Sequence, residues 1–294
     1  MIVPFRWNIT KREQLGRLIK SEGALPYPTF ADELLECCAR IFSFCDNADL
    51  YFIGRSPESL FDYLSGLLAP TSWANRCVLL NLALRNYMFD SHHRSYPTLL
   101  RHTDPRSIAL VRNHLQVLKL TPHDIITCQR KVAFVDLVAS GTTFKHLAEI
   151  LFEWTRESRL SLKALKQHLC FIGITPRKKT SPNTWRWQQQ HRWVQQLRPG
   201  TIKNVSIPGY LWDYLGNYQQ KVTPSNPPWR WDDRQMSQPS YNGATLAALE
   251  LAVHLYDLGN SAEHRRRFAA QLARAPGIKH QWYRAIMHEV RRVG

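Results

Sequence analysis

Residues 131–143, KVAFVDLVASGTT, are the stretch that decides the fold. The run begins with an apolar segment, 132–135, whose β-branched and aromatic residues are typical of a buried parallel strand. An acid, Asp136, follows where such a strand is expected to end. The small residues Ser140-Gly141-Thr142-Thr143 then predict a turn, and apolar residues at helical spacing begin at Phe144. The stretch therefore predicts a strand, a short loop and a helix.

The loop at 140–143 has the composition of an anion site. A helix that begins here offers free backbone N–H groups and the positive end of its dipole to a ligand in the loop. Ser140, Thr142 and Thr143 add hydroxyl donors, and Gly141 lets the backbone approach a ligand closely. The alternative is an ordinary strand–helix turn without a ligand, and the residues alone leave both interpretations open.

A second unit of the same kind precedes the first. Residues 49–53, DLYFI, predict a short strand, and the apolar pattern from Leu60 predicts a helix after it. Between them lies Gly54-Arg55-Ser56, in which the Arg55 guanidinium is suited to hold a phosphate bidentately. An arginine at the end of a strand is also often simply solvated, so this loop is a weaker signal than the one at 140–143.

Further apolar segments at 76–82 and 168–174 predict two more strands. Strands and helices therefore alternate over 48–175, which indicates an α/β fold with a Rossmann-like parallel sheet flanked by helices. Ligands of such sheets bind beyond the carboxyl ends of the strands. Gly54, Asp136 and Gly173 all lie at predicted strand ends, and we expect them to converge.

Four regions follow from the changes in composition. Residues 1–47 predict a helical lead-in with helices near 11–20 and 30–42, and residues 48–218 the α/β core. Residues 219–242 are rich in proline and predict an arm or linker, whereas 243–294 predict a basic helical C-terminal appendage.

The chain is strongly basic. Its 294 residues contain 39 Lys and Arg against 23 Asp and Glu, a formal net charge of +16. This balance favours polyanionic partners such as nucleic acid, nucleotides or an acidic protein. Six scattered cysteines without a CxxC pair indicate reduced core thiols, and no apolar run reaches the roughly 20 residues of a membrane span. We therefore expect a soluble, cytoplasmic protein without membrane contact.

The basic charge is concentrated between 158 and 212, where ten Lys or Arg occur without one acid. Aromatic residues alternate with cations there, a pattern suited to a nucleic-acid backbone whose bases stack on indoles. The alternative is that Trp185, Trp193 and Leu197 pack on the sheet from a helix whose polar side faces water. The candidate nucleic-acid-binding residues are Arg177, Lys178, Lys179, Arg186 and Arg192.

The polar region 86–107 contains the pair His92-His93, which lacks a third ligand at a metal-site spacing, so we predict no resident metal site. Signature motifs of other classes do not occur in the sequence. There is no G-x-G-x-x-G of dinucleotide-binding dehydrogenases, no P-loop, no G-x-S-x-G and no H-E-x-x-H.

The run 132–143 resembles the phosphoribosyl-diphosphate loop of type I phosphoribosyltransferases, in which an apolar strand is followed by two acids, two apolar residues, a variable residue and Thr-Gly-x-Thr. The second acid corresponds to Asp136, and Ser140-Gly141-Thr142-Thr143 corresponds to the phosphate loop. The first acid is replaced by Val135, and an acid that is catalytic in some members is replaced by Ala139.

The resemblance implies a role for each matching residue. Asp136, the candidate catalytic residue, would hold a ribose hydroxyl, and residues 140–143 would bind the 5′-phosphate. Gly54, Arg55 and Ser56 look like the loop that meets the pyrophosphate. Mg²⁺ would arrive with a phosphoribosyl-diphosphate-type ligand. With two family acids missing, the resemblance implies binding more firmly than ordinary nucleotide salvage.

The divergence, the basic arm and the helical tail are similar to phosphoribosyltransferase-like proteins of bacterial conflict systems, including those that accompany retron reverse transcriptases. This similarity implies an effector of antiviral defence whose ligand is a sugar phosphate or nucleotide. Its partner would be a nucleic acid or a ribonucleoprotein containing a reverse transcriptase. The alternative is a catalytically inactive module of the same fold that binds nucleic acid or a ribonucleoprotein.

Overall fold

The computed structural model describes residues 4–7, 9, 15–19, 23–84, 86–89, 95–98, 105–177, 186–224, 227 and 234–292. The strands are β1 (Asp49–Ile53), β2 (Cys77–Leu80), β3 (Asn86–Phe89), β4 (Ser95–Thr98), β5 (Val132–Leu137), β6 (Leu169–Pro176) and β7 (Ile202–Ile207). Five of them form a parallel sheet in the order β2-β1-β5-β6-β7, and β3 and β4 form a separate antiparallel hairpin.

Ten α-helices occur in the described ranges, one before the first strand and the others between or after the strands. They are α1 (Phe30–Phe44), α2 (Glu58–Leu68), α3 (Pro105–Val117), α4 (Pro122–Thr127), α5 (Thr142–Glu157), α6 (Leu162–His168), α7 (Gly209–Asp213), α8 (Gly243–Asn260), α9 (Ala262–Ala273) and α10 (Gln281–Arg292). The predicted α/β class, with a parallel Rossmann-like sheet flanked by helices and further helices at the C-terminus, is confirmed. Within the described ranges, no helix combines the length and apolar character needed to cross a bilayer.

Side chains of β5 alternate between two apolar layers. Val132 and Phe134 belong to the layer shared with α3, α5 and α6. Ala133, Val135 and Leu137 belong to the layer shared with α1, α2, α9 and α10. Because a strand points successive side chains to opposite faces, helices on both faces bury all six residues of β5.

Helix α2 is buried along its whole length, between the sheet and α8. Two glycines bring the backbones of α2 and α8 into contact. A Cβ atom added at Gly66 would lie 2.0 Å from the carbonyl oxygen of Tyr256, and one at Gly259 would lie 2.4 Å from that of Tyr63. Any larger side chain at these two positions would therefore force the helices apart.

The C-terminal helices share the core of the sheet. Phe268 of α9 and Tyr283 of α10 are fully buried, and their rings lie 6.0 and 5.4 Å from that of Phe42 on α1. At the other end of the chain, Trp7 and Ile9 pack against the outer side of α8. Both termini are thus fixed by apolar contacts to helices around the sheet.

The structure departs from the sequence-based expectations in several elements. Strand β5 runs two residues beyond the expected end, because Leu137 still pairs with Ile174 of β6. A helix was one alternative for the segment from Trp185 to Leu197; in its described part the chain instead forms two short 3-10 turns, Trp187–Gln190 and Arg192–Gln196. After β7 the chain forms α7, and a π turn, Tyr214–Tyr218, follows it directly.

Helix α1 confirms the second helix of the lead-in. The one expected near 11–20 lies largely outside the described residues, as does most of the polar region 86–107, including His92-His93. Of the six cysteines, all free, only Cys128 is exposed. Burial raises the pKa of the Cys37 thiol to about 12 and that of Cys170 to about 11, so these thiols are protonated at neutral pH, as core thiols are expected to be.

Candidate functional site

The carboxyl ends of β1 and β5 lie side by side at a topological switch point. The chain leaves β1 through α2, on one face of the sheet, and crosses to β2. It leaves β5 through α5, on the opposite face, and crosses to β6. The two loops therefore diverge and leave a crevice between them, which is where open α/β sheets bind their ligands. Both loops singled out in the sequence border this crevice.

The loop after β5 turns sharply into α5. The N–H of Val138 still donates to the carbonyl of Ile174, at 2.8 Å, so the strand pairing extends to the loop itself. Gly141 has a φ of +80°, a left-handed conformation that favours glycine, and α5 begins at the next residue. The hydroxyl oxygens of Ser140 and Thr142 lie 2.7 Å apart, so one of the two hydroxyls donates to the other.

Helix α5 is 16 residues long and begins Thr142-Thr143-Phe144-Lys145. Its first N–H groups and the positive end of its dipole are available to an anion, and Lys145 adds a positive charge in the first turn. Ser140 is exposed, and Thr142 and Thr143 are half-buried. The predicted phosphate loop thus has accessible donors at the positive end of a long helix.

The turn at 186–191 packs directly on this loop, a contact that was not predicted from the sequence. Trp187 lies so close that a Cβ atom at Gly141 would come within 2.2 Å of its ring atom Cε3. The indole Nε1 donates to Oδ1 of Asn204 on β7 at 2.8 Å, and Nε2 of His191 donates to the carbonyl of Ser140. The 186–191 turn therefore forms one wall of the crevice, and the clustering of Trp and His there was its only sequence signal.

Asp136 is the fifth residue of β5 and is paired with Gly173 of β6. Strand alternation turns its side chain to the same face as Val132 and Phe134, the face covered by α5. The Asp136 side chain is only 8% exposed. The residue before it, Val135, pairs with Phe52 of β1, so Asp136 lies beside the end of β1. Asp136 and Gly173 meet on neighbouring strands as expected, and Gly54 follows β1 beside them, but Gly173 lies three residues before the end of β6 rather than at it.

The loop after β1 begins at Gly54, whose φ is +70° and whose N–H donates to the carbonyl of Leu80 at 2.8 Å. Arg55 and Ser56 are half-buried beside it. Burial lowers the pKa of the Arg55 guanidinium, and the nearby Glu58 carboxylate opposes that shift. A guanidinium stripped of part of its water, next to the switch point, is a strong donor to an anion.

Buried charges behind this loop form a cluster that sequence reasoning missed. Glu58, at the start of α2, accepts from the N–H groups of Val222 and Thr223 at 3.0 and 3.2 Å. One turn later, Asp62 accepts from Nη2 of Arg6 at 3.2 Å. The residues that donate to Glu58 lie about 160 residues later in the chain, and Arg6, which donates to Asp62, lies 56 residues earlier. The pair of acids at positions i and i+4 of an apolar helix was therefore the only sequence signal for the cluster.

Burial decides the protonation behaviour of this cluster. It raises the pKa of the Asp62 carboxyl to about 7, although the charge of Arg6 and its hydrogen bond act in the opposite direction. Burial also raises the pKa of Glu58, and it lowers the pKa of Lys221, which lies near Glu58 and Arg55. The cluster fixes the N-terminus of α2 and hence the loop that carries Arg55.

The predicted nucleic-acid-binding cations are only partly within the described residues. Arg177, Arg186 and Arg192 are exposed, whereas Lys178 and Lys179 lie outside the described ranges. Trp193 is buried beside Phe171, at a ring distance of 5.3 Å, so the packing alternative is correct for this indole. Bases cannot stack on Trp193 in this arrangement.

Among the described residues, no group of three or more His, Cys, Asp or Glu side chains is arranged to hold a metal ion. At the switch point, Asp136 is the carboxylate on β5, and Val135 before it and Ala139 three residues after it have no oxygen in their side chains. These residues fit an Mg²⁺ that is carried by the phosphates of a ligand rather than a resident ion.

Comparison of the sequence with protein-family models gives no match, and no curated protein matches the chain in sequence.

Proposed function

We propose that the protein binds a sugar phosphate or nucleotide in the crevice between the carboxyl ends of β1 and β5. The observation that carries this proposal is the position of the two sequence-predicted loops, 54–56 and 140–143, on either side of the switch point. Two donor-rich loops at the edge where such sheets bind ligands support one ligand with two anionic groups.

The 5′-phosphate is assigned to the start of α5. Three hydroxyl side chains, free N–H groups and the helix dipole act together there, and the left-handed Gly141 lets the phosphate approach the main chain. Trp187 fills the space on one side of Gly141, so the sugar must extend from the other side, toward β1.

The second anionic group, a diphosphate, is assigned to Gly54, Arg55 and Ser56. Arg55 is partly desolvated, and its nearest acid, Glu58, is held by the N–H groups of residues 222 and 223. A bidentate contact to a diphosphate would satisfy the hydrogen-bond donors of the Arg55 guanidinium, which Glu58 is not positioned to do alone. Mg²⁺ carried by the diphosphate supplies charge neutralisation when it is bound.

The chemistry best supported is pentosyl transfer from a phosphoribosyl-diphosphate-type donor, in which the bond between C1 of ribose and the diphosphate breaks, a nucleophilic atom of an acceptor forms the new bond to C1, and the diphosphate leaves with its Mg²⁺. Asp136 accepts a hydrogen bond from a ribose hydroxyl and orients the sugar. Catalysis then consists of positioning, charge neutralisation and exclusion of water, which need no covalent contribution from the protein. As an effector of retron-type antiviral defence, the protein would act on this ligand once phage infection has released the protein from its partner.

Calorimetric titration with phosphoribosyl diphosphate and Mg²⁺ tests the proposal. We expect saturable binding by the wild type and a loss of about tenfold or more in affinity for Asp136→Asn, which removes the charge that accepts from the ribose hydroxyl. Absence of binding at millimolar ligand, or binding unchanged by Asp136→Asn and by the variants of the two loops, would refute the proposal.

A second candidate function is a catalytically inactive module that binds nucleic acid or a ribonucleoprotein. The exposure of Arg177, Arg186 and Arg192 on one stretch of chain favours it. Replacing all three by Glu should abolish binding of single-stranded RNA under this alternative and leave phosphoribosyl diphosphate binding unchanged. The absorbance ratio at 260 and 280 nm of the purified protein reports co-purified nucleic acid directly.

A further inference from the structure

A basic cavity opens at the opposite end of the sheet, where β5, β6 and β7 begin. It encloses about 530 Å³ and is bordered by α6, by the turn before β7 and by the segment before α10. The cavity and the crevice lie at opposite ends of these strands, so five or more strand residues, or roughly 17 Å, separate them. It therefore belongs to neither loop of the proposed phosphate site.

The lining of this cavity is dominated by cations. Five cationic side chains converge on it from separate parts of the chain, and Asp46 is the one carboxylate among the lining residues, all of which are described. The five are Lys131, Lys166, Arg198, Lys203 and Lys279, joined by His280. Like charges gathered around one cavity repel each other, and a bound anion removes that cost.

Two of the five cations already have partners. Lys131 is ion-paired with Asp46, and Lys166 lies over the ring of Phe152 at 5.0 Å. Arg198 and Lys203 flank the cavity across a tight turn, in which the N–H of Thr201 donates to the carbonyl of Arg198 at 3.1 Å and Gly200 has a φ of +82°. The turn thus holds two cations at one wall.

The cavity has a firm aromatic wall. Trp282 is half-buried in the lining and stacks on Trp73, with ring centroids 5.7 Å apart and an interplanar angle of 21°. Its other neighbours include Phe42, at 5.6 Å. A second depression of about 270 Å³ shares Lys166 and Arg198 and adds Lys163, so the positive surface continues beyond the cavity.

We propose that this cavity is a second ligand site, which binds a small molecule carrying two or more phosphate groups, such as a nucleoside polyphosphate. The volume is that of a small-molecule site, and the cations are spaced around a concave wall rather than along a flat surface. The phosphates contact Arg198, Lys203 and Lys279, and the base or sugar lies against Trp282. This site does not depend on the proposed function of the crevice.

The test is a calorimetric titration of the full chain with inorganic tripolyphosphate and with ATP at 0.15 M salt. We expect both to bind and the double variant Arg198→Ala/Lys203→Ala to lose about tenfold in affinity per cation. The charge-conserving variant Arg198→Lys/Lys203→Arg should retain most of the binding. The control Arg234→Ala removes an exposed cation outside the cavity and should change nothing.

Four outcomes would overturn the proposal. The first is no binding of either probe, and the second is binding that the Arg198→Ala/Lys203→Ala variant retains while its circular dichroism matches the wild type. The third is loss of tripolyphosphate binding in Thr142→Val with no loss in the double variant, because the ligand would then lie in the crevice. The fourth is much tighter binding of a single-stranded decanucleotide that the double variant loses. The cavity would then be a nucleic-acid site rather than a site for a small ligand.

Discussion

Gly141 and Trp187 are in direct contact, and no side chain larger than hydrogen fits between them. A Cβ atom at Gly141 would lie 2.2 Å from Cε3 and 2.7 Å from Cζ3 of the indole. The indole is held from the other side by Asn204, at 2.8 Å. The geometry of the loop before α5 is therefore tied to a turn 46 residues away, and both form the crevice at the end of β5.

Gly141→Ala should destabilise the protein by about 2–4 kcal/mol, because the methyl group meets the indole ring and the left-handed φ of +80° is strained for alanine. Thermal and urea unfolding measure the change, and the emission of Trp187 should shift to the red as it is displaced. The matched control is Gly209→Ala, at a glycine with open space around its Cβ position, which should change stability by less than about 1 kcal/mol. Equal stability of the two variants would contradict the contact.

Gly66→Ala should separate α2 from α8, since a Cβ atom there would lie 2.0 Å from the carbonyl oxygen of Tyr256. We expect a loss of about 3 kcal/mol or more, although alanine is otherwise favoured over glycine inside a helix by about 1 kcal/mol. Gly243→Ala, at the first residue of α8 with nothing within 4 Å, is the control and should be neutral or slightly stabilising. Urea denaturation of both variants provides the measurement.

The buried carboxyl of Asp62 should make stability fall as the pH rises. Its pKa is about 7 in the folded protein and about 3.9 in the unfolded chain, so the folded state holds the extra proton between these values. Stability from this group is complete below about pH 4 and decreases by up to about 1.4 kcal/mol per pH unit until about pH 7.

Asp62→Asn removes that titration and should gain stability relative to the wild type between pH 5 and pH 8. Urea unfolding at one-unit pH intervals measures the difference. The exposed carboxylate of Glu263 offers a control, Glu263→Gln, for which no comparable trend is expected. A constant difference between Asp62→Asn and wild type across this range would show that Asp62 is already charged when the protein is folded.

In the crevice, Arg55→Ala should weaken binding of phosphoribosyl diphosphate by about tenfold or more, and Thr142→Val by about tenfold, since each removes one donor to a phosphate. Arg55→Lys should recover only part of the loss, because an ammonium group cannot contact a diphosphate bidentately. Binding is measured by calorimetry, with Arg234→Ala as the control. A crevice that does not bind this ligand would leave all four proteins equal.

Four of the five strands of the sheet were predictable from the sequence because they are short and largely apolar, whereas β7, with the sequence IKNVSI, is not. The runs at 49–53 and 132–135 have this composition, and the helices after them show a clear apolar period. The two loops at the switch point were found for the same reason, since small and polar residues follow each strand directly. The ends of the strands were predicted less well: β5 reaches Leu137 and β6 reaches Pro176, each two residues beyond the expected end. In β5 the reason is Asp136, an uncommon residue inside a parallel strand.

Contacts between distant segments could not be predicted. Nothing local in the sequence connects Trp187 with Gly141, or Arg6 with Asp62, because each pair meets only after the chain has folded. The segment 187–196 had a helix as one of its two alternatives, since Trp and Gln are compatible with a helix. Its indoles instead pack toward Phe144 and Phe171, and tertiary packing overrides that weak local preference.

The most direct test of ligand binding at the switch point is a crystal structure of the protein with phosphoribosyl diphosphate and Mg²⁺. We expect the oxygen atoms of the 5′-phosphate within hydrogen-bond distance of the N–H groups of residues 141–143, with the diphosphate beside Arg55. A ligand bound only in the basic cavity at the amino ends of β5, β6 and β7, or a 5′-phosphate that does not contact the start of α5, would contradict the proposal.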